Sequence, residues 1–259
     1  MKLDNQNVLI TGANRGIGLG LAEMFAREKT HLHLVVRKDE PELVTHLKNL
    51  GALSVRVWLA DLSARDQVEN LVKDIQGQGV IIDVLVNNAG LLTGGLIEEQ
   101  PLDEIYQMFQ VNLLSLVHLT RGLLPDMIKR GHGKIINNSS VSAFMHFPCA
   151  TTYAASKSAV VAFTDCLDLE LKGTGVTTLC LITPGIKTRM FDEISKKYGK
   201  NIELPNDYIS AEEYSERVKN AILSDHKFLL PRGLTALGLG LSKYIPAVFK
   251  WATYRRFHR

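Results

Sequence analysis

Tyr153 and Lys157 stand four residues apart in the run YAASK. On a helix, positions i and i+4 share a face, so the phenol and the ammonium become neighbours. A free phenol, with a pKa of about 10, is a poor base at neutral pH. A nearby cation favours phenolate and lowers that pKa. The pair can therefore give a proton to, or take one from, a carbonyl/alcohol couple. Ser139 and Ser140 end an apolar run, which brings a hydroxyl to the same edge of a sheet. Alone, Y-x-x-x-K is also what exposed helices carry by chance.

A second group of residues suits a phosphate. Thr11-Gly12-Ala13-Asn14-Arg15-Gly16-Ile17-Gly18 follows an apolar strand and precedes a helical run. Such a turn aims backbone N–H groups and a helix N-terminus at an anion. The spacing is G-x-x-x-G-x-G rather than the general dinucleotide G-x-G-x-x-G. A turn needed only for tight strand–helix packing would look the same. Some 20 residues on, an acid would hold the ribose 2′-hydroxyl of NAD. Here Arg37-Lys38 occupy that place and Arg15 lies in the turn, cations that would pair with a 2′-phosphate and so favour NADP. A solvated strand end is the alternative, since Asp39 and Glu40 follow directly. Asp61-Leu62 follows the third strand, where Asp61 could accept from an adenine amino group or cap a helix. Asn87-Asn88-Ala89-Gly90 follows the fourth, with small residues that allow close backbone approach or simply make a turn.

These groups need a scaffold that brings strand ends together. Short apolar runs at Val8–Thr11, Leu32–Val36, Ser54–Leu59, Asp83–Val86, Lys134–Asn138, Val176–Ile182 and Lys227–Leu230 alternate with helix-length segments. Several are rich in Val and Ile with little alternation, as in strands buried on both faces. Val68, Leu71, Val72 and Ile75 have helical spacing, with Ser63 and Asp66 as a capping start. Ser210 and Glu213 make a second capping box. The pattern predicts an α/β fold, a doubly wound parallel sheet of Rossmann type in one domain.

Composition sets the bounds. With 259 residues, 46% hydrophobic and 22% charged, the bulk of the chain is too apolar for disorder. Three cysteines without a C-x-x-C pair support neither a disulfide framework nor structural zinc, and fit a reducing compartment. MKLDNQN runs into strand-like sequence without a signal-peptide apolar region. The net charge of +3 hides an asymmetry: from His226 to Arg259 there are seven Lys/Arg and no acid, leaving 23 basic against 27 acidic residues elsewhere. We divide the chain into a catalytic part, 1–231, and an apolar, basic arm, 232–259, that is not a separate domain.

TGANRGIG, NNAG, a serine thirteen residues before YAASK, and Pro184-Gly185 after the sixth strand together resemble the short-chain dehydrogenase/reductase family over roughly residues 5 to 230. The resemblance implies that Tyr153 is the general acid/base and that Lys157 lowers its pKa and holds the nicotinamide ribose. It implies that Ser140, rather than Ser139 or Ser142, bonds the substrate oxygen. Asn112 would connect Lys157 to solvent through a water; otherwise it is a helix-interior Asn bonding a neighbouring carbonyl. Asp61 and Leu62 would frame the adenine. Pro184, Gly185, Ile186 and Thr188 would line the nicotinamide. Together with Gly12, Asn14, Arg15, Gly16, Ile17, Gly18, Arg37, Lys38, Asn88, Ala89 and Gly90, these residues would hold NADP. No metal is required. His31 and His33 straddle a strand and read as structural, and His146 as a rim residue.

The expected activity is NADP-dependent interconversion of a carbonyl and an alcohol. The alternatives are a nonredox epimerase or dehydratase on the same fold, or an NADP-binding sensor. Substrate walls are expected from Leu91-Leu92, Phe144 to Phe147, and Met190 to Tyr198, an apolar lining. The partner is then a small apolar molecule, not nucleic acid. The family commonly assembles dimers or tetramers through helices near Leu102–Arg130 and Thr152–Lys172, so a homodimer or homotetramer is expected. The second of these stretches carries Val160, Val161, Phe163, Leu167, Leu169 and Leu171, more apolar surface than one helix face needs. The setting is cytoplasmic, with peripheral membrane attachment through the arm as one option. An arm folded over its own pocket, or against a partner subunit, is the other.

Overall fold

The computed structural model describes residues 1–186 and 208–258. Seven strands lie in one parallel sheet: β1 Asn7–Thr11, β2 His31–Val36, β3 Ser54–Leu59, β4 Val84–Asn87, β5 Gly133–Asn138, β6 Val176–Leu181 and β7 Phe228–Leu229. Their order is β3-β2-β1-β4-β5-β6-β7. The chain winds outward from β1 in one direction and from β4 in the other. The loops after β1 and β4 therefore part company at the C-terminal edge, where doubly wound sheets leave a crevice.

Side-chain alternation divides the core. Val8 and Ile10 of β1, Leu32 and Leu34 of β2, and Val84 and Val86 of β4 point to one face. There they meet α1 (Gly16–Arg27) through Leu21 and Phe25, and α7 (Ala211–Leu223) through Tyr214, Val218 and Ile222. Leu9, Val35, Leu85 and Ile135 point the other way, against α3 (Arg65–Gly77), α5 (Ser115–Arg130) and α6 (Thr151–Glu170). The remaining helices of the layers are α2 (Pro41–Asn49) and α4 (Leu102–Phe109). Val68, Leu71, Val72 and Ile75 form the buried stripe of α3.

The two capping expectations part ways. Ser210 accepts the Glu213 N–H at 3.1 Å and starts α7. Ser63 does not cap α3, whose N-cap is Ala64. Instead the Ser63 N–H and hydroxyl both donate to Asp61, at 2.9 and 2.8 Å. An Asx-type turn outcompetes the cap because Asp61, two residues earlier, offers a charged acceptor to the same turn. His33 is buried and accepts from the Trp58 indole at 3.3 Å. Burial, with the Arg56 charge nearby, lowers its pKa to about 4 and keeps it neutral.

The apolar excess on α6 is mostly consumed within the subunit. Val160, Val161 and Leu167 are buried, Phe163 packs on the core, and Leu169 stays exposed. Leu102, Tyr106 and Leu114 are exposed near the neighbouring α4–α5 stretch. The arm forms two short helices, α8 (Gly233–Tyr244) and α9 (Pro246–Tyr254), neither of which buries a residue fully. Among the described residues no helix is long and apolar enough to cross a membrane.

Candidate active site

Three glycines shape the first loop. Gly12 and Gly16 adopt φ of 66° and 55°, the left-handed region that strains other residues. A Cβ on Gly18 would lie 2.0 Å from the Gly12 carbonyl oxygen. Close packing of the turn on its own helix thus dictates the glycine spacing, and an open helix end follows from it. No side chain caps α1, and its first turn carries no acid. Its N-terminal N–H groups and partial positive charge suit an anion.

That helix end opens on a cavity of about 1420 Å³ along the C-terminal edge of the sheet. Gly12, Asn14, Arg15, Gly16, Ile17, Gly18, Arg37, Asp61, Leu62, Asn88, Ala89 and Gly90 line it on one side. Ser140, Tyr153, Lys157, Pro184, Gly185 and Ile186 line it on the other. Lys38 is exposed and is not among the lining residues. Thr188 and the stretch Met190 to Tyr198 fall outside the described residues. The donor set suits a dinucleotide: an uncapped helix end and Arg37 for phosphates, and Asp61 as an acceptor. The Asp61 carboxyl is held below the usual carboxylate range, chiefly by the Ser63 N–H, with the Ser63 hydroxyl and Arg37 adding to it. Asn14 donates to Glu40 at 2.9 Å, which ties the glycine turn to the loop after β2.

Tyr153 and Lys157 ride on α6, where i, i+4 spacing sets the Lys157 Nζ 5.9 Å from the phenol ring centroid. Lys157 is buried, and Tyr153 is half-buried in the cavity wall. Burial pushes the Tyr153 phenol up to about 12, while a hydrogen bond with Ser140 pulls it down in part. Burial also lowers Lys157 to about 8. Desolvation disfavours the charged form of each. The Lys157 Nζ donates to the Asn138 carbonyl at 2.8 Å. The three serines separate by their partners. Ser139 donates to the Lys157 carbonyl at 2.8 Å, Ser142 offers its N–H to the Ser140 oxygen at 3.1 Å, and Ser140 reaches Tyr153.

Asn112 lies in a π-helical segment, Gln110–Leu114, between α4 and α5. Its side chain accepts the Leu91 N–H at 2.7 Å and donates to the Leu91 carbonyl at 2.9 Å and the Ser156 hydroxyl at 3.0 Å. It therefore clamps the loop after β4 onto α6 through Leu91 and Ser156 rather than through Lys157. A Cβ on Gly90 would lie 3.5 Å from both the Asn112 Oδ1 and the Lys157 Nζ, so the glycine admits this approach.

A polar ladder that no single motif of the sequence announces lies beneath the site. Thr11 Oγ1 accepts the N–H groups of Asn88 and Ala89 at 3.0 and 2.9 Å, and Asn88 Nδ2 donates to the Thr11 carbonyl at 3.0 Å. Asn138 Nδ2 donates to Asn88 Oδ1 at 3.0 Å, and the Thr183 hydroxyl donates to Asn138 Oδ1 at 2.5 Å. Tyr214 on α7 joins Thr183 at 2.7 Å. The ladder crosses the ends of β1, β4, β5 and β6. In the sequence its members stand as separate polar residues at strand ends, Thr11, Asn88, Asn138 and Thr183, with nothing local to pair them.

The substrate side also differs from expectation. Leu91, Leu92, Met145 and Phe147 line the cavity, but Phe144 packs into a core cluster with Val161 and Ile182. The strand end turns through a short 3₁₀ segment, Val141–Ala143, which aims Phe144 inward. His146 is exposed. The arm supplies walls that the sequence reading left undecided: Leu234 and Thr235 of α8, and Phe249, Ala252 and Thr253 of α9. Phe249 meets Phe147 edge-on, with ring centroids 5.7 Å apart. Of the two destinations expected for the arm, its own pocket is one that it reaches.

A sheet with this strand order, a glycine turn after β1 and a Ser, Tyr, Lys group across the crevice define a nicotinamide-dependent oxidoreductase scaffold. The chain belongs to the short-chain dehydrogenase family, whose model matches residues 6–199. It is 31% identical to an uncharacterized oxidoreductase, YusZ, of Bacillus subtilis over 83% of this chain and 76% of that one. It is 32% identical to estradiol 17-beta-dehydrogenase 11 of Rattus norvegicus over 97% of this chain and 83% of that one. A short-chain dehydrogenase from Sphingobium yanoikuyae, solved in complex with NADPH, superposes with a TM-score of 0.80 at 26% identity, covering 95% of each chain.

Proposed function

We propose that the protein is an NADP-dependent oxidoreductase that interconverts a carbonyl and an alcohol on a lipophilic substrate. The observation that carries this reading is the cavity itself. One wall presents the Ser140, Tyr153 and Lys157 group, and the cavity runs from a phosphate-competent helix end to apolar walls. The bound cofactor supplies or accepts the hydride. Tyr153 gives the proton to the substrate oxygen in reduction and removes it in oxidation. Ser140 shares the oxygen and steadies its developing charge. Lys157 supports the phenolate left behind and holds ribose hydroxyls. Asn112 positions the loop that faces Lys157. Gly12, Asn14, Arg15, Gly16, Ile17 and Gly18 cradle phosphate, while Asp61, Leu62, Asn88, Ala89 and Gly90 flank the adenosine. Pro184, Gly185 and Ile186 flank the nicotinamide. Thr188 and Lys38 keep these roles on the sequence alone.

Preference for NADP rests on Arg37 and Arg15 in the cavity wall, cations suited to a 2′-phosphate. The NADPH complex of the Sphingobium relative supports it. The lipophilic substrate rests on Leu91, Leu92, Met145, Phe147 and Phe249, and the rat relative is by name an estradiol dehydrogenase. The catalytic part is 1–231 and the arm 232–259. We place the enzyme in the cytoplasm as a homodimer or homotetramer. A Tyr153→Phe variant tests the proton-transfer role. It should lose NADPH-dependent reduction of apolar ketones by about 10³-fold or more while NADPH affinity holds. Wild-type kcat in the Phe variant would remove Tyr153 from the reaction.

A further inference from the structure

The two arm helices divide their faces between two jobs. Phe249, Ala252 and Thr253 of α9, with Arg256 just past its end, line the cavity at i, i+3, i+4, i+7 spacing. The opposite side carries Val248, Trp251 and Tyr254, all exposed. On α8, Leu237, Leu241 and Tyr244 form a similar exposed stripe. These side chains come from two adjoining helices. A soluble surface rarely gathers apolar side chains in this way without a partner.

Charge indicates what the partner is. No acid occurs from His226 to Arg259, and Lys243, Lys250 and Arg255 stand among the outward apolar residues. The Arg255 guanidinium lies 4.9 Å from the centroid of the Trp251 ring, and the Lys243 ammonium 5.5 Å from that of Tyr244. A second copy meeting this face by a two-fold axis would set cation against cation. Helices of 12 and 9 residues are too short to span a bilayer. Apolar stripes with interfacial aromatics and flanking cations suit the surface of a bilayer that carries anionic lipid.

We propose that the α8–α9 hairpin docks on an anionic lipid bilayer by its outer face while its inner face closes the substrate chamber. A lipid-dissolved substrate then reaches the chamber past this hairpin. The chamber half rests on the proposed function; the docking half stands without it. Flotation with phosphatidylcholine vesicles, with and without phosphatidylserine, tests the docking using the full chain and a Trp251→Glu/Tyr254→Glu variant. Trp58 is buried and Trp251 exposed, so tryptophan emission reports on the arm.

The full chain should float only with vesicles containing phosphatidylserine, with blue-shifted emission, and should be released by high salt. The variant should partition more than about tenfold less, with an unchanged melting temperature and NADPH affinity. A full chain that stays unbound to both vesicles overturns the proposal. So does a variant that floats like the parent, or one whose only change is a smaller mass by light scattering, which would make the face a protein interface. Docking retained without any turnover of lipophilic carbonyls would leave the docking in place and refute the proposed function instead.

Discussion

Burial acts on Tyr153 against its lysine. The sequence places a cation beside a phenol and implies a lowered pKa, but that argument omits desolvation. In the folded protein the phenol is pushed up to about 12 and the ammonium down to about 8. Tyr153 therefore stays protonated through the neutral range and stands ready as a proton donor. Lys157 is charged below its folded pKa and neutral above it. Support for the phenolate left after proton donation is present below pH of about 8 and lost above it. Carbonyl reduction, followed as kcat/KM against pH, should be level up to that point and fall beyond it. Lys157→Met should be low throughout and lack that limb. A wild-type profile that stays level far above the lysine pKa would separate Lys157 from catalysis. Arg37→Asp belongs to the same scale. It removes a cation from the 2′-phosphate place and offers an acceptor to a 2′-hydroxyl. The NADPH-to-NADH ratio of kcat/KM should fall by about tenfold or more. An unchanged ratio would show that Arg37 serves solvent alone.

At the scale of elements, patterns that depend on one segment were legible, and patterns that depend on pairs of segments were not. All seven strands could be read from apolar runs, to within one or two residues at each end. The α7 cap was legible because Ser210 and Glu213 belong to one turn. The α3 cap was not, since Asp61 captured Ser63 from outside the motif. The same reason hides the ladder from Thr11 to Tyr214, whose members lie on four strand ends and one helix. Asn112 could be picked out by family spacing, yet its clamp on Leu91 depends on a π-helical turn that no local pattern announces. The ladder carries a stability prediction. Asn138→Ala leaves Asn88 and Thr183 without their buried partner. Each orphaned group costs about 1–3 kcal/mol. Denaturant unfolding should show a loss of at least about 2 kcal/mol with an unchanged m-value. Loss of less than about 0.5 kcal/mol would mean that water replaces the ladder at no cost.

At the scale of the whole molecule, the crevice joins a half lined by the glycine turn and strand ends to a half that the arm completes. The first half was legible because glycine, Arg37 and strand-end motifs are tied to β1 and β2. The second was not, because the arm reaches the cavity from the far end of the chain and only folding places Phe249 against Phe147. In the proposed reaction a hydride moves between nicotinamide and the carbinol carbon of an apolar substrate. The most direct measurement uses NADPH carrying deuterium at its transferable position, a panel of apolar ketones and charged sugars, and mass analysis of the products. One deuterium is expected on the carbinol carbon of alcohols formed from apolar ketones, with far less product from the sugars. Turnover of substrate without deuterium transfer would contradict it and make the site a nonredox one.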